Sequence, residues 1–298
     1  MTSAGDDRTR RDAGDGDDPR PPAAAEGDPL AERRLSGNRV WRGKLLDVRQ
    51  DRVRLPDGGE ALREYVVHPG AVLMIPELPD GQLVVERQFR YPLNRAFLEF
   101  PAGKLDPGET AFATARRELV EEAGYAAVEW TLLGTVHPVI SYSTEVIDLY
   151  LARGLAHVGS QLDHGEFLEI ATYTEDALYA ELDAGALTDS KTVAALALYS
   201  RWRTAPARAC SLRITGLVQG VGFRDWMVAA AQSLGVDGWV RNGREGRVEA
   251  RIQGTREACD RLIERCRRGP RAAQVDAIVI RRVAPEAGIA GFARRPSA

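Results

Sequence analysis

Three glutamates, Glu118, Glu121 and Glu122, stand three and four residues apart in the run GKLDPGETAFATARRELVEEAGY from Gly103 to Tyr125. That spacing puts them on one face of a helix. Three carboxylates so placed repel one another unless a cation neutralises them, and an oxygen-only donor set favours a hard ion, Mg2+ or Mn2+. Phe112, Ala115, Leu119 and Ala123 form a neighbouring apolar stripe that can hold the helix on a sheet while the acidic face stays open. Asp106-Pro107-Gly108 is a turn signal, so the run reads as loop, helix, loop, with Glu109 near the helix start and Gly103 and Gly124 punctuating the ends. A solvated amphipathic helix with Glu and Arg paired along its surface would carry similar charges. The long fixed spacing, in which each position has a mechanical role, favours the metal site.

Gly103, Glu109, Arg117, Glu118, Glu121, Glu122 and Gly124, with apolar Leu119 and Tyr125, match the Nudix box G-x5-E-x7-R-E-U-x-E-E-x-G-U, where U is apolar. The chain therefore resembles a Nudix hydrolase. Its flanks, Gln88-Phe89-Arg90-Tyr91-Pro92 and Leu98-Glu99-Phe100-Pro101-Ala102-Gly103, are similar to the ADP-ribose pyrophosphatase branch. So are Arg63-Glu64-Tyr65 with His68-Pro69-Gly70, Glu166-Phe167-Leu168-Glu169 and Asp189-Ser190-Lys191-Thr192. The resemblance implies attack of water on a nucleoside diphosphate compound, giving AMP and ribose 5-phosphate when the substrate is ADP-ribose. It assigns metal ligation to Glu118 and Glu122 first, to Glu121 more weakly, and to the backbone carbonyl of Ala102. Glu121 and Glu122 thereby count among the catalytic candidates, and Arg117 orients a glutamate by salt bridge. The general base falls to Glu145 in the loop Ser141-Tyr142-Ser143-Thr144-Glu145, which could also be an ordinary loop acid. Arg63, Arg90 and Glu99 match substrate-binding positions; each could equally be structural, and Arg90 between Phe89 and Tyr91 could simply stack. His137-Pro138-Val139 departs from the Ser-Pro-Gly wording more familiar in this branch, which leaves other ADP-sugars and diadenosine compounds open as substrates.

A second signal begins at Gly216 with GLVQGVGFR and continues with GWVRNGREGRVEARIQG from Gly238. Glycines 216, 220 and 222 let backbone N–H groups converge on an anion between a strand and a helix start, and Arg224 can add a bidentate guanidinium. Both segments resemble acylphosphatase signatures. The resemblance implies phosphate binding by Gly220, Val221, Gly222 and Phe223, catalysis by Arg224, and orientation of the attacking water by Asn242, with no metal or other cofactor. A module that kept the phosphate nest without turnover is the alternative.

With 298 residues the chain has room for about two domains. Residues 1–36 are rich in Asp, Arg, Gly, Pro and Ala with almost no large apolar side chains, and are expected to be a disordered extension. Residues 37–203 are expected to form an α/β/α Nudix sandwich. Its strand signals include Arg63–Val67, Gln82–Glu86, Trp130–Val136 and Glu145–Ala152; helical stretches lie near Thr174–Asp183 and Ser190–Trp202. The family resemblance adds a small N-terminal sheet that helps build a homodimer. Residues 204–207 read as a polar, Pro-containing linker. Residues 208–298 follow the order βαββαβ, a ferredoxin-like unit, so the fold class is α/β throughout.

The net charge is -3, with the arginine excess in the C-terminal domain. Anionic phosphate substrates account for it; no aromatic platform accompanies the arginines, so nucleic acid is not an expected partner. Cys210, Cys259 and Cys266 form no C-x-x-C pair, which argues against disulfides and zinc and for reduced thiols in a cytoplasmic protein. No apolar run approaches membrane-spanning length. Two functions follow as expectations. One is a bifunctional hydrolase acting on nucleoside diphosphate sugars and acyl phosphates. The other is a Nudix hydrolase regulated by a phosphometabolite-binding C-terminal half.

Overall fold

The computed structural model describes residues 27–162 and 167–298. Glu166 and the first 26 residues of the expected extension lie outside the described residues. The chain divides into two compact units. One runs to His68 and includes Ser141–Thr144, and the other holds Pro69–Ile140 with Glu145–Ala298.

The first unit is an antiparallel meander of β1 (Arg33–Arg42), β2 (Asp47–Arg54) and β3 (Glu60–Val67). Asp51 is buried in it and accepts from Arg34 Nε at 2.8 Å and from the Tyr65 hydroxyl at 3.0 Å. A side chain at Gly37 would meet Asp51 Oδ1 at 1.7 Å, so this crossing of β1 over the buried acid requires glycine. Strand β1 begins inside the stretch 1–36 that composition marks as disordered. Its side chains are almost all exposed, and its apolar residues Leu35, Val40 and Trp41 do not alternate, so no period-two pattern announces it.

In the second unit come β4 (Ala71–Pro76), β5 (Leu83–Arg90), β6 (Arg95–Glu99) and β7 (Ala102–Lys104), then α1 (Ala111–Glu121). They are followed by β8 (Tyr125–Val136), β9 (Ile147–His157), β10 (Leu168–Tyr173), α2 (Glu175–Asp183) and α3 (Ser190–Thr204). Side chains of Thr110, Thr174 and Asp189 cap these helices by accepting the amides of Ala113, Ala177 and Thr192. Strands β4 and β9 alternate with period two. Val72, Met74, Tyr150 and Ala152 face the α1 side, and Leu73, Ile75, Leu149 and Leu151 face the opposite core that includes Tyr199 and Trp202 of α3. The result is the expected α/β/α sandwich.

The chain continues with β11 (Ala207–Leu217), α4 (Phe223–Leu234), β12 (Asp237–Asn242), β13 (Val248–Thr255), α5 (Arg256–Arg268) and β14 (Gln274–Arg282). That is the expected βαββαβ order, extended by β15 (Phe292–Arg294), which pairs parallel to β12. The linker expected at 204–207 contracts to Ala205 and Pro206, since Thr204 ends α3 and Ala207 opens β11.

The two modules are fused through their backbones. Strand β14 pairs in parallel with β8, from Ile278 opposite Glu129 to Arg281 opposite Leu132. This closes a nine-stranded sheet in the order β15-β12-β13-β11-β14-β8-β9-β4-β7. One apolar core runs from Leu73 and Leu149 through Trp202 to Cys210, Ile214 and Ile278. At the seam Glu129 is buried and bonded by two arginines, Arg153 Nε of β9 at 2.6 Å and Arg267 Nε of α5 at 2.8 Å. Beside it, Arg208 lies 3.6 Å over the Trp202 ring and donates to the Trp202 carbonyl and to Asp260, each at 2.8 Å.

Removing one partner of a buried ion pair leaves the other charge uncompensated. The Glu129→Ala variant is therefore expected to lose about 3–5 kcal/mol in urea unfolding. A loss below about 1 kcal/mol, the scale of an exposed pair, would refute the seam's dependence on Glu129.

Candidate active sites

Helix α1 lies on β4, β7 and β8 through Ala115 and Leu119, which are fully buried. The neighbouring stripe carries the carboxylates. Glu122 is buried, and its Oε2 accepts the Ala102 amide of β7 at 3.0 Å. Glu118 leans on the next residue of that strand. A Cβ at Gly103 would come within 1.9 Å of the Glu118 carboxyl carbon, so any larger residue there would push that carboxylate aside.

Arg117 is the hub of the acidic face. Its Nη1 donates to Glu118 at 2.9 Å and to Glu121 at 2.8 Å, and its Nη2 donates to Glu109 at 2.9 Å. The orienting role expected of Arg117 thus extends to three glutamates. The Arg117 hydrogen bond, helped by Thr114, holds the Glu109 carboxyl down at about 2. The same contact with Glu109 raises the Arg117 guanidinium.

Whether these residues suit a divalent cation turns on donor type and packing. The donors are hard carboxylate oxygens, and Gly103 provides a cradle that any side chain would fill. Among the described residues no three acidic, His or Cys side chains converge as a ready coordination group. Instead the Arg117 guanidinium supplies the positive charge that Glu118 and Glu121 share. The donor set fits a hard cation that competes with Arg117 for these oxygens.

Glu145 stands just before β9. Its strand neighbour Ile147 pairs with Ala71 of β4, and Ala71 pairs on its other side with Lys104 of β7. The sheet register therefore sets Glu145 at the same end of β4 as the strand that carries Ala102 and Gly103. Arg90 and Glu99 form a bidentate pair, both bonds 2.7 Å, with Glu99 2% exposed. Lys191 also bonds Glu99, and it donates to Asp189 at 2.9 Å. Burial pushes the Glu99 carboxyl up, but the Arg90 and Lys191 contacts outweigh it and hold the group below its usual range. Both Glu99 oxygens are thus committed within the protein. Arg63 belongs to the first unit, where it pairs with Glu32 at 2.8 Å. Lys191 is a partner of Glu99 to which reasoning from the sequence assigned no role, although the Asp189-Ser190-Lys191-Thr192 run contains it.

In the C-terminal module Gly220 and Gly222 take φ of +74° and +77°, and Gly222 is the N-cap of α4. The backbone N–H groups that follow it have no intrahelical partner. Arg224 sits one residue into α4 and Asn242 ends β12. Gln219, which the sequence reading quoted without a role, joins the two segments. Its amide donates to the carbonyls of Gly243 at 3.0 Å and Arg247 at 2.7 Å. Among the described residues none donates a hydrogen bond to the buried Oδ1 of Asn242. Ser297 reaches Arg224 at 3.5 Å, and the Ala298 amide donates to the Asn242 carbonyl at 3.0 Å. The three cysteines are buried, and burial pushes each thiol up to about 12, which leaves them inert packing groups.

A carboxylate-lined face and a glycine-lined anion nest on one body define a hydrolase of phosphate compounds. The NUDIX domain model matches residues 67–196, and the acylphosphatase model matches residues 210–294. Residues 32–66 match the nucleoside diphosphate sugar hydrolase N-terminal domain. An ADP-ribose pyrophosphatase of Bacillus subtilis is 36% identical over 170 residues, which cover 56% of this chain and 91% of that protein. A methanol dehydrogenase activator of Bacillus methanolicus is 36% identical over 169 residues, covering 55% and 90%. An acylphosphatase of Nitrobacter hamburgensis is 53% identical over 74 residues, covering 25% and 75%. The crystal structure of an ADP compounds hydrolase superposes with a TM-score of 0.53 at 25% identity, covering 57% of this chain and 93% of that one. The chain belongs to the Nudix hydrolases through its first module and to the acylphosphatases through its second.

The depressed Glu109 carboxyl has a consequence for stability. A carboxylate whose folded pKa lies below its unfolded value stabilises the fold above the unfolded value, and that contribution disappears as pH falls through the folded one. For Glu109 the window runs from 4.5 down to about 2. Acid unfolding is expected to be steeper in the wild type than in Glu109→Gln across that range, and equal slopes would refute the assignment.

Proposed function

We propose that the chain is a bifunctional hydrolase. Its Nudix module cleaves the diphosphate of ADP-ribose or a related nucleoside diphosphate compound in a Mg2+-dependent reaction, giving AMP and ribose 5-phosphate. Its C-terminal module hydrolyses acyl phosphates without a metal. The observation that carries the first part is the glutamate face of α1 laid against the backbone of Ala102 and Gly103. The B. subtilis relative, named as an ADP-ribose pyrophosphatase, supports the substrate class.

Glu118 and Glu122, with Glu121 and the Ala102 carbonyl, would hold the cation. When bound, Mg2+ neutralises charge on the phosphate oxygens and lowers the pKa of a water. Arg117 keeps the glutamates oriented, and Glu145 takes the proton of the attacking water. Arg63 and Arg90 are the substrate-facing candidates, with Glu99 holding Arg90 in place. In the second module the backbone N–H groups of residues 220–223 and the Arg224 guanidinium grip the phosphoryl oxygens. The unpartnered Oδ1 of Asn242 accepts a hydrogen bond from the attacking water and aims its oxygen.

A second reading has the C-terminal module bind a phosphorylated metabolite and regulate the Nudix module. The shared core and the β8–β14 seam favour it, because strain in one module reaches the other through packed contacts. We further propose a cytoplasmic homodimer that pairs through the first unit, where Leu35, Val40, Trp41 and Leu62 are exposed on the three-stranded sheet.

Product chromatography with Mg2+ and a panel of ADP-ribose, other nucleoside diphosphate sugars and diadenosine polyphosphates tests the first activity. Glu122→Gln is expected to slow release of AMP by about 10–100-fold. Unchanged turnover in this variant would sink the metal site. For the second module, Arg224→Ala should lower benzoyl phosphate hydrolysis by about 100–1,000-fold. If it instead alters only pyrophosphatase kinetics, the regulatory reading replaces the bifunctional one. Sedimentation should give a dimer for the wild type and a monomer for Trp41→Asp; a monomeric wild type rejects the dimer.

A further inference from the structure

Helices α4 and α5 flank an open groove of about 650 Å3 that belongs to neither candidate active site. Ala229 and Ala230 are too small to fill the space between the helices, so long side chains from α5 reach across an open floor. Trp226 and Ser233, two turns apart along α4, both line it. The facing wall is Arg261, Arg265 and Arg268, with Glu264 as its one acid. Three guanidiniums against one carboxylate make the groove cationic. Arg265 is anchored by Ser233 at 3.1 Å. Arg268 holds Glu264 only loosely, at 3.7 Å, with both side chains exposed. Among the described residues no hydrogen bond or ion pair engages Arg261.

We infer that this groove binds a nucleoside phosphate. Guanidiniums arranged in a row recognise phosphate oxygens in bidentate fashion. The volume lies within the range of about 300–1,000 Å3 usual for small-molecule sites, far more than a bare phosphate ion needs. The aromatic wall accounts for the rest of the ligand, since an indole stacks a planar base of any identity. From Trp226 to Ser233 the groove runs about 10 Å at 1.5 Å per residue, the length of one nucleotide rather than a strand. The base then lies on Trp226 and the phosphate on Arg261 and Arg268.

The position also gives the groove a route to the phosphate loop. Trp226 packs against Phe223, ring centroids 5.3 Å apart, and Phe223 opens α4 directly behind Gly222. Gly269, on the groove floor, has no room for a Cβ because Phe223 stands 2.8 Å from where it would lie. A ligand seated there bears on the residue that ends the anion nest.

The test is photolabelling of the full chain with azido-AMP, followed by peptide mapping. Label is expected on Trp226 or on α5, competed by AMP and not by the same excess of inorganic phosphate. Arg261→Glu with Arg268→Glu, both exposed in the folded protein, should reduce that label by at least about ten-fold, as expected for two lost charge-assisted contacts. Label confined to the Nudix module, label indifferent to the double reversal, or equal competition by phosphate would each overturn the nucleotide assignment.

Discussion

A single buried carboxylate, Glu129, decides how the rest of the molecule is joined. It sits on β8 where β14 pairs, and it is shared by Arg153 from the Nudix module and Arg267 from the acylphosphatase module. A lone carboxylate at that depth would be costly, and either arginine alone would leave its partners half satisfied. Both modules must therefore be present and in register for the charge to balance. Parallel pairing of β8 with β14 also removes an open strand edge from each module, which would otherwise invite pairing with other chains.

Continuity of the sheet fixes what the two sites can and cannot share. The carboxylate face is built on β7 at one edge, whereas the anion nest follows β11 and Asn242 ends β12 near the other. Five to seven strand spacings separate them, roughly 25–35 Å at about 4.8 Å each. No substrate reaches both at once. Chemistry agrees, because neither AMP nor ribose 5-phosphate is an acyl phosphate and passing either across would serve no purpose. Whatever joins the modules functionally acts through the common core, whose members from Leu73 to Ile280 pack as one cluster.

Much of this was legible in the sequence because the informative residues are local. The α1 face needs only the spacing of Glu118, Glu121 and Glu122, and the anion nest needs only glycines ahead of a helix. Helix limits were close as well; Thr174, Asp189 and Thr255 cap where side-chain chemistry says they should. What escaped depends on distant partners. Strand β15 is three residues long and exists through pairing with β12. The β8–β14 seam cannot be read from either strand alone, since each looks like an ordinary apolar run. Gln219 was visible inside its motif, but its role lies in carbonyls more than twenty residues away.

The glutamate–arginine contacts of Glu99, of Glu129 and of Arg117 differ in depth, and burial sorts their meaning. Glu99 and Glu129 are almost wholly enclosed, at 2% and 1% exposure of the side chain. A cation from solvent would have to strip out guanidiniums held in a dry interior, where the opposite charge has no other stabilisation. These pairs are fixed architecture. Glu118 and Glu121 hold Arg117 at 13% and 33% exposure, on a helix face open to water. There a guanidinium contact is worth little and water can solvate Arg117 once it is displaced, so a dication with twice the charge can compete for the same oxygens. Only Arg117 and Glu118 stand side by side in the sequence; Glu99 and Glu129 meet their arginines through the fold. Depth separates the pairs locked in the interior from the partly exposed cluster around Arg117.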